Sequence, residues 1–462
     1  SGGSTNSVTG DNSTISGGTG GLLEADGAVI TGGSGNQTGS NATLVSGGEN
    51  NVIQPTSDYS SIVGGAGNEI LGPDNHVAGA KNAIIEASGS TVIGGYDSHV
   101  ILGSNFSFVI GTGKSRLDAS GVPINENHTV GELYSSGALA PNNAEGSSLY
   151  SGILGGYNNK LSGGGRSGSV DPENNFIVAG SKHKLGGAVD GGGGIYDSLI
   201  AGGRGNEIGS YLGTVDPAGE IKIKNGMIIG GENNYILMGG VDKSGSSVFS
   251  SNVLYSGIIG GSGNSINYVD DAQPLAPWWS SKSAVNGSEY GVQTSYIFGG
   301  TRNSITNSSS EYFSDLSLYS SILGGQNNII SSSYGSTVLG GGRFVQTTGH
   351  GSPPAWEPLY DTVDNYYSNI IAKGHHSTIL NGSSNLIRPY AFQFDGNGLT
   401  WAPGHPGGGG VILIPTPAFA VAEGRESYSY LYGQHSQAAG GHRQEKFQDN
   451  GFMIANMDLE PG

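Results

Sequence analysis

The segment Ser61-Ile62-Val63-Gly64-Gly65-Ala66-Gly67-Asn68-Glu69-Ile70 recurs along most of the chain. It returns around Gly155-Gly156 and Asn159, around Gly230-Gly231 and Asn234, around Gly260-Gly261 and Asn264, and around Gly324-Gly325 and Asn328. A short unit repeated this often sets the architecture before any other feature is weighed, because each copy can bury its apolar residues only by stacking on its neighbours. In the first stretch the Gly-Gly pairs begin at Gly17, Gly32, Gly47 and Gly64, in steps of 15, 15 and 17 residues. Each copy reads as a short apolar strand, a Gly-Gly break, a two-residue tip, Asn, and a second short strand. About fifteen residues are too few for a helix-containing repeat, and a 3.6-residue apolar period is missing. The expected fold is all-β, a parallel β-roll (β-solenoid) with two strands and two turns per repeat.

Glycine supplies the positive φ that a reversal within two residues needs, and Asn tolerates it next best. Stacking would set the Asn68, Asn159, Asn234 and Asn328 side chains into ladders. These Gly and Asn residues are therefore read as builders of turns rather than as ligands.

The paired apolar residues add a constraint. Successive strand side chains point to opposite faces, so Ile62 and Val63, Ile153 and Leu154, and Ile322 and Leu323 face opposite ways. A thin roll has one inside, so apolar residues on both faces imply a covered outer face, and a second copy of the chain is the economical cover. Thr31 and Ala201 at the outer place make it the less strictly buried of the two.

Glycine supplies 86 of 462 residues without a collagen-like triplet. The net charge of −18 argues against nucleic acid as a partner, since phosphate binding needs clustered Lys and Arg. No apolar run is long enough to span a membrane, and the absence of cysteine excludes disulfides.

The chain divides by composition into compact repeats (1–113), repeats with long insertions (114–390) and a segment with a linker and degenerate repeats (391–462). The insertions are Lys114–Tyr150, Gly186–Asp197, Gly209–Asn225, Leu237–Tyr255, Asn267–Thr294 and Thr347–Tyr366. Long loops in an ordered repeat carry function or lack order, and on solenoids they gather on one face. Trp278, Trp279, Trp356, Tyr290 and Tyr360 fall in them, with Trp401 beyond, and these six are the candidate receptor contacts. The alternative is that each Trp pins its own loop.

Ser61-Ile62-Val63-Gly64, Thr91-Val92-Ile93-Gly94, Ser321-Ile322-Leu323-Gly324 and Ser436-Gln437-Ala438-Ala439-Gly440 resemble the Ser-x-Ala-Ile-Gly strands of trimeric autotransporter adhesin heads and the related β-rolls of phage tail fibres. The resemblance spans about residues 4 to 390, with echoes at 420–441. It implies left-handed rolls, three chains side by side, and attachment to host surfaces. The second strand departs from the family, carrying Asn-x-Ile where the family has Ala-x-Ala.

Other chemistry is weakly signalled. Gly111-Thr112-Gly113-Lys114-Ser115 ends like a phosphate loop, but Phe108 stands where that motif needs Gly. Asn264 replaces the metal-ligating Asp of calcium-binding rolls, and the adjacent His375 and His376 point apart on a strand. Asp270, Asp271, Asp361 and Asp364 leave a glycan-cleaving tailspike as a lesser reading. An ice-binding solenoid would show a regular Thr array, and none is present. No metal, cofactor or catalytic residue is expected. The expected function is attachment of a virion or cell surface to a host glycan or protein receptor by a homotrimer. The alternative is an extracellular fibre subunit without a receptor.

Overall fold

The computed structural model describes residues 3–100, 105–111, 114–117, 123–126, 129–130, 150–156, 159–161, 174–186, 194–210, 222–238, 240–241, 247–248, 252–266, 291–306, 317–331, 333–341, 369–372, 376–383, 385–387, 391–395, 398–401, 411–413, 419–425, 427–429, 434–439 and 448–452. All regular structure among them is β. The chain forms two compact units, Ser1–Gly230 and Gly231–Gly462.

In the first unit each coil contributes one strand to sheet A and one to sheet B. Ser61–Val63 of sheet A pairs in parallel with His76–Ala78 in the next coil, and that strand with Thr91–Ile93, residue for residue. Sheet B repeats the pattern, with Val52–Ile53, Glu69–Ile70 and Ile84–Ile85 in register. The parallel β-roll read from the repeat is therefore the fold. It also has a third side that two strands and two turns did not supply. Ser4, Thr19, Ser34, Glu49, Ala66, Lys81 and Tyr96 form a line of single parallel bridges between sheets A and B. Where insertions return, a further short strand, here called sheet C, closes the coil. Gly194–Tyr196 pairs with Lys222–Lys224 in the first unit, and Asn252–Leu254 with Gly291–Gln293 in the second. The residues Ile195, Ile223, Val253 and Val292 in these strands are buried. An extra strand lets a longer coil pair the backbone groups that a bare loop would leave unsatisfied.

Insertion does not disturb the stack. Phe108–Ile110 pairs directly with Gly152–Leu154, although Lys114–Leu117 and Pro123–Glu126 form an antiparallel hairpin between them. In the second unit Thr337–Leu339 pairs with Thr378–Leu380 across another long insertion. The roll also resumes beyond residue 390. Val421–Arg425 continues sheet A beside Thr378–Ser383, and Gln434–Ala439 follows it. The antiparallel strand Gln448–Phe452 pairs with Gln434–Ala439 and so covers an edge that would otherwise template aggregation.

The core is a column of like residues. Ile62, Val77, Val92, Val109, Ile153, Ile177, Ile200 and Ile228 stack inside sheet A of the first unit, all essentially without solvent contact. Ile258, Ile297, Ile322, Val338 and Ile379 do the same in the second. Each such burial is worth roughly 1.5–3 kcal/mol. Two polar ladders flank the apolar columns. In the Asn ladder, Asn264 Oδ1 accepts the N–H of Asn303 at 3.0 Å, and Asn303 Oδ1 that of Asn328 at 3.0 Å. The Nδ2 of Asn303 donates to the carbonyls of Gly299, Gly324 and Gly325 at 3.2–3.3 Å. One side chain thus bonds carbonyls of two successive Gly-Gly turns and the amide above, with the Gly325 carbonyl also accepting the N–H of Thr301. The second ladder is mostly serine: Ser256 Oγ accepts from Ser295 N at 3.2 Å, and Ser295 Oγ from Ser320 N at 3.1 Å.

The two glycines of a pair do different work. At Gly324 an added Cβ meets nothing, and only φ of +71° disfavours a side chain. Ala179 and Asn381 hold this place in other coils with φ of 58° and 56°. At Gly325, φ +78°, a Cβ collides with the Gly341 carbonyl oxygen and with Nδ2 of Asn328. Gly324→Ala should cost about 1–2 kcal/mol, while Gly325→Ala should cost clearly more, because it also displaces the Asn rung. Asn303→Ala should cost about 1–3 kcal/mol by leaving the Asn328 amide and the turn carbonyls unpaired. Urea denaturation of the three variants checks the order, and equal loss for the two glycine variants would contradict it.

Candidate interaction surface

The outer face of sheet A is apolar and exposed. Strand alternation turns one residue of each apolar pair inward and the other out. Ile62 has no exposure and Val63 is 49% exposed; Ile322 has none and Leu323 is 44% exposed. In the first unit the register aligns Val63, Ala78, Ile93, Ile110, Leu154 and Val178 in one outward column, continued by Ala201 and Ile229. In the second unit Ile259, Phe298, Leu323, Leu339 and Leu380 do the same. In the first three coils the corresponding residues are Ser16, Thr31 and Ser46, and Thr31 Oγ1 bonds Ser46 Oγ at 3.2 Å. The apolar face therefore begins at the coil of Val63.

Sheet B of the first unit is more polar. Its outer side carries Gln54 donating to Glu69 at 2.7 Å and His99 against Glu86 at 3.3 Å. Further along, Lys160, Lys184 and Glu207 stand in register. Burial holds the Glu207 carboxyl above its usual range, partly offset by Lys184. In the first unit these charges on sheet B contrast with the exposed hydrophobic column of sheet A, although Leu22, Val52 and Ile84 also face outward on sheet B. In the second unit the outward column of sheet A passes from Leu380 to Glu423, whose carboxylate lies 3.7 Å from His435.

The apolar face is bordered by a corner that the sequence reading missed. The residue before each member of the serine ladder lies in the left-handed backbone region. Tyr59, Phe106 and Tyr150 occupy it in the first unit, and Tyr255, Tyr319, His376 and Phe419 in the second, with φ between 50° and 60°. Bulky side chains are outliers there, at roughly 1–2 kcal/mol each. Some recover part of this by stacking. Phe106 and Tyr150 have centroids 5.4 Å apart at 9°, and His376 and Phe419 5.1 Å apart at 12°. The His376 ring lies over Gly335, whose missing Cβ makes the room, and meets Tyr334 edge-on. Tyr59 and Tyr255, both largely exposed, have no ring partner among the described residues. The pattern is visible in hindsight as an aromatic directly before Ser60, Ser107, Ser151, Ser256 and Ser320.

The insertions converge on this corner. Five of the six expected insertions end on a corner residue: Tyr150, Asp197, Asn225, Tyr255 and Thr294, all with φ near 50°. Chain entering from an insertion therefore reaches sheet A through the left-handed corner, beside its aromatic rings.

The expected structural residues lie where they were read. Gly64, Gly65, Gly155, Gly156, Gly230, Gly231, Gly324 and Gly325 have positive φ at the turn after sheet A, and Asn68, Asn159, Asn234 and Asn328 are buried. Of the candidate receptor contacts, Trp278, Trp279, Trp356, Tyr290 and Tyr360 lie outside the described residues, as do Asp270, Asp271, Asp361, Asp364 and His375. Trp401 is in an antiparallel strand, opposite Phe392. Lys114 and Ser115 begin a hairpin strand rather than a helix. Among the described residues no three His, Asp or Glu side chains cluster in a way that could hold a metal ion.

If the unstacked corner rings serve an external contact, relieving their backbone should not harm the fold. Tyr59→Gly and Tyr255→Gly should leave stability unchanged or raise it by up to about 1 kcal/mol. Phe419→Gly, which removes a stacked ring, should gain less or lose stability. Thermal denaturation decides this, and a loss above 1 kcal/mol for both Tyr variants would assign those rings to the fold. Neither family models nor curated protein sequences match this chain.

Proposed function

We propose that this chain is a non-enzymatic attachment protein of a virion or cell surface. Copies associate through the outer face of sheet A, and the target is met by the insertions and the aromatic corner beside them. The observation that carries this reading is the column of exposed Val, Ile, Leu and Phe that the register aligns on the outer face of sheet A in each unit. Contiguous exposed apolar surface marks an interaction site. A face that repeats with the period of the chain itself is matched in rise, about 4.8 Å per coil, by another copy. The resemblance to adhesin heads and tail fibres supports three copies. The negative net charge makes a neutral glycan or a protein a better target than an anionic polymer.

The fibre-subunit reading uses the same face but gives the insertions to assembly. Two measurements separate them. The native mass by light scattering should be about three times 46.9 kDa, and Leu154→Glu with Ile259→Glu should reduce it to the single chain, while Lys184→Glu on sheet B should not. A monomeric wild-type chain, or variants of unchanged mass, would sink the association claim. Deleting 267–290 should abolish binding to target cells and leave the mass intact; if the mass falls instead, the insertion belongs to assembly.

A further inference from the structure

Not every rung of the Asn ladder in the first unit is Asn. Gly21 and Ala83 take the places after Asn6 and Asn68, and Ser98 follows Ala83. Among these described replacements His183 is the one with a titratable side chain. His183 stands between Asn159 and Asn206 and is wholly buried. Its backbone N–H donates to Asn159 Oδ1 at 3.1 Å, as an Asn rung would. Its Nδ1 takes the place of the Asn carbonyl oxygen and accepts the N–H of Asn206 at 3.2 Å. That bond requires an unprotonated Nδ1, so the ring is the neutral tautomer with hydrogen on Nε2. Nε2 is buried without a hydrogen-bond partner among the described residues. At the flanking rungs Nδ2 of Asn bonds the glycine carbonyls, as Asn159 does to Gly155 at 3.2 Å and Asn206 to Gly230 at 2.9 Å. The imidazole thus performs the accepting half of the rung and not the donating half.

An amide cannot titrate in the physiological range, and an imidazole can. A second proton on the ring must go to Nδ1, where it faces the Asn206 N–H donor. Among the described residues no carboxylate acts on the ring to compensate. The described titratable side chains within two residues of the rungs Asn159, His183 and Asn206 are Lys160 on the preceding coil, Lys182 and Lys184 on the same coil, and Arg204 and Glu207 on the following one. All five are exposed or half-buried on the outside, whereas the ring is inside. Burial lowers the proton affinity of His183 to a pKa of about 4, with the neighbouring backbone groups opposing only in part.

We propose that the His183 rung is an acid-sensitive joint in the first unit: protonation of its ring opens the solenoid between the coils of Asn159 and Asn206 while the Asn rungs elsewhere hold. The sign follows from linkage. The folded ring binds its proton more weakly than the unfolded one, so stability is full above pH 6.5 and is lost as pH falls from there toward 4. For a surface attachment protein this places acid opening at one coil of the first unit, whatever its target is.

The test is amide hydrogen exchange of the full chain at pH 7 and pH 4, corrected for intrinsic rates, in wild type and His183→Asn. In wild type the opening equilibrium of residues 176–208 should rise by about a hundredfold. In His183→Asn it should change by no more than a few-fold, and the rungs Asn264 to Asn328 of the second unit should respond little in either protein. Equal acid response in the two proteins would overturn the proposal, as would opening that starts at the Asn rungs. Should His183→Asn fail to fold, the wild-type ring decides by NMR titration. The Nε2–H tautomer with a pKa below 5 supports the joint, and a ring charged at pH 6 overturns it.

Discussion

Coil-to-coil hydrogen bonding in strict register is the interaction on which the rest of this structure depends. Strands of two or three residues cannot hold themselves. They persist here because strands within the stack pair with the coils above and below, and because the turns between them are paired as well. The Asn ladder makes the second condition possible. A Gly-Gly turn leaves carbonyls pointing inward, where an unmet acceptor is expensive, and a buried Asn amide meets the turn of its own coil and of the next. Register is then fixed twice, by the β ladders and by side chains stacked at the turns. A slip of one residue would bring outward apolar residues into the core and break every rung together.

That redundancy explains the tolerance for insertions. An inserted segment changes neither the position of the Asn nor that of the serine before sheet A, so Phe108 still pairs with Gly152 and Thr337 with Thr378. The extra chain is absorbed on the sides that do not set register. It re-enters at the left-handed corner, in some coils after adding a sheet C strand. The same logic concentrates surface chemistry. Sheet A and its corner vary in apolar size from coil to coil, while sheet B varies in charge, because neither outer side is constrained by the ladders.

His183 shows the cost of substituting within the ladder. Imidazole reproduces the geometry of an acceptor with Nδ1 but leaves Nε2 unmatched, and it exchanges a group of fixed protonation for one that titrates. A single residue type can therefore alter how one coil responds to solvent conditions without altering the fold.

Much of the fold was legible in the amino-acid sequence. The period, the Gly-Gly turns, the buried Asn rungs and the opposite facing of Ile62 and Val63 follow from strand alternation and from the few residues that accept positive φ. Five insertion ends were legible too, since Tyr150, Asp197, Asn225, Tyr255 and Thr294 mark where the chain returns to sheet A, but the segment 114–150, read as one insertion, holds the sheet B strand Thr129–Val130. The serine ladder, the third side of the coil and the aromatic corner were not, although their residues are regular. Ser60, Ile195 and Tyr59 carry no propensity that announces a rung, a closing strand or a left-handed corner; only their neighbours one coil away assign those roles. By itself the sequence determined what each repeat must be, because periodicity and backbone sterics act within fifteen residues or so. Only the tertiary structure decided which residues of different repeats meet. Stacking brings positions separated by an insertion as close as those separated by a single turn, and no local preference encodes that distance.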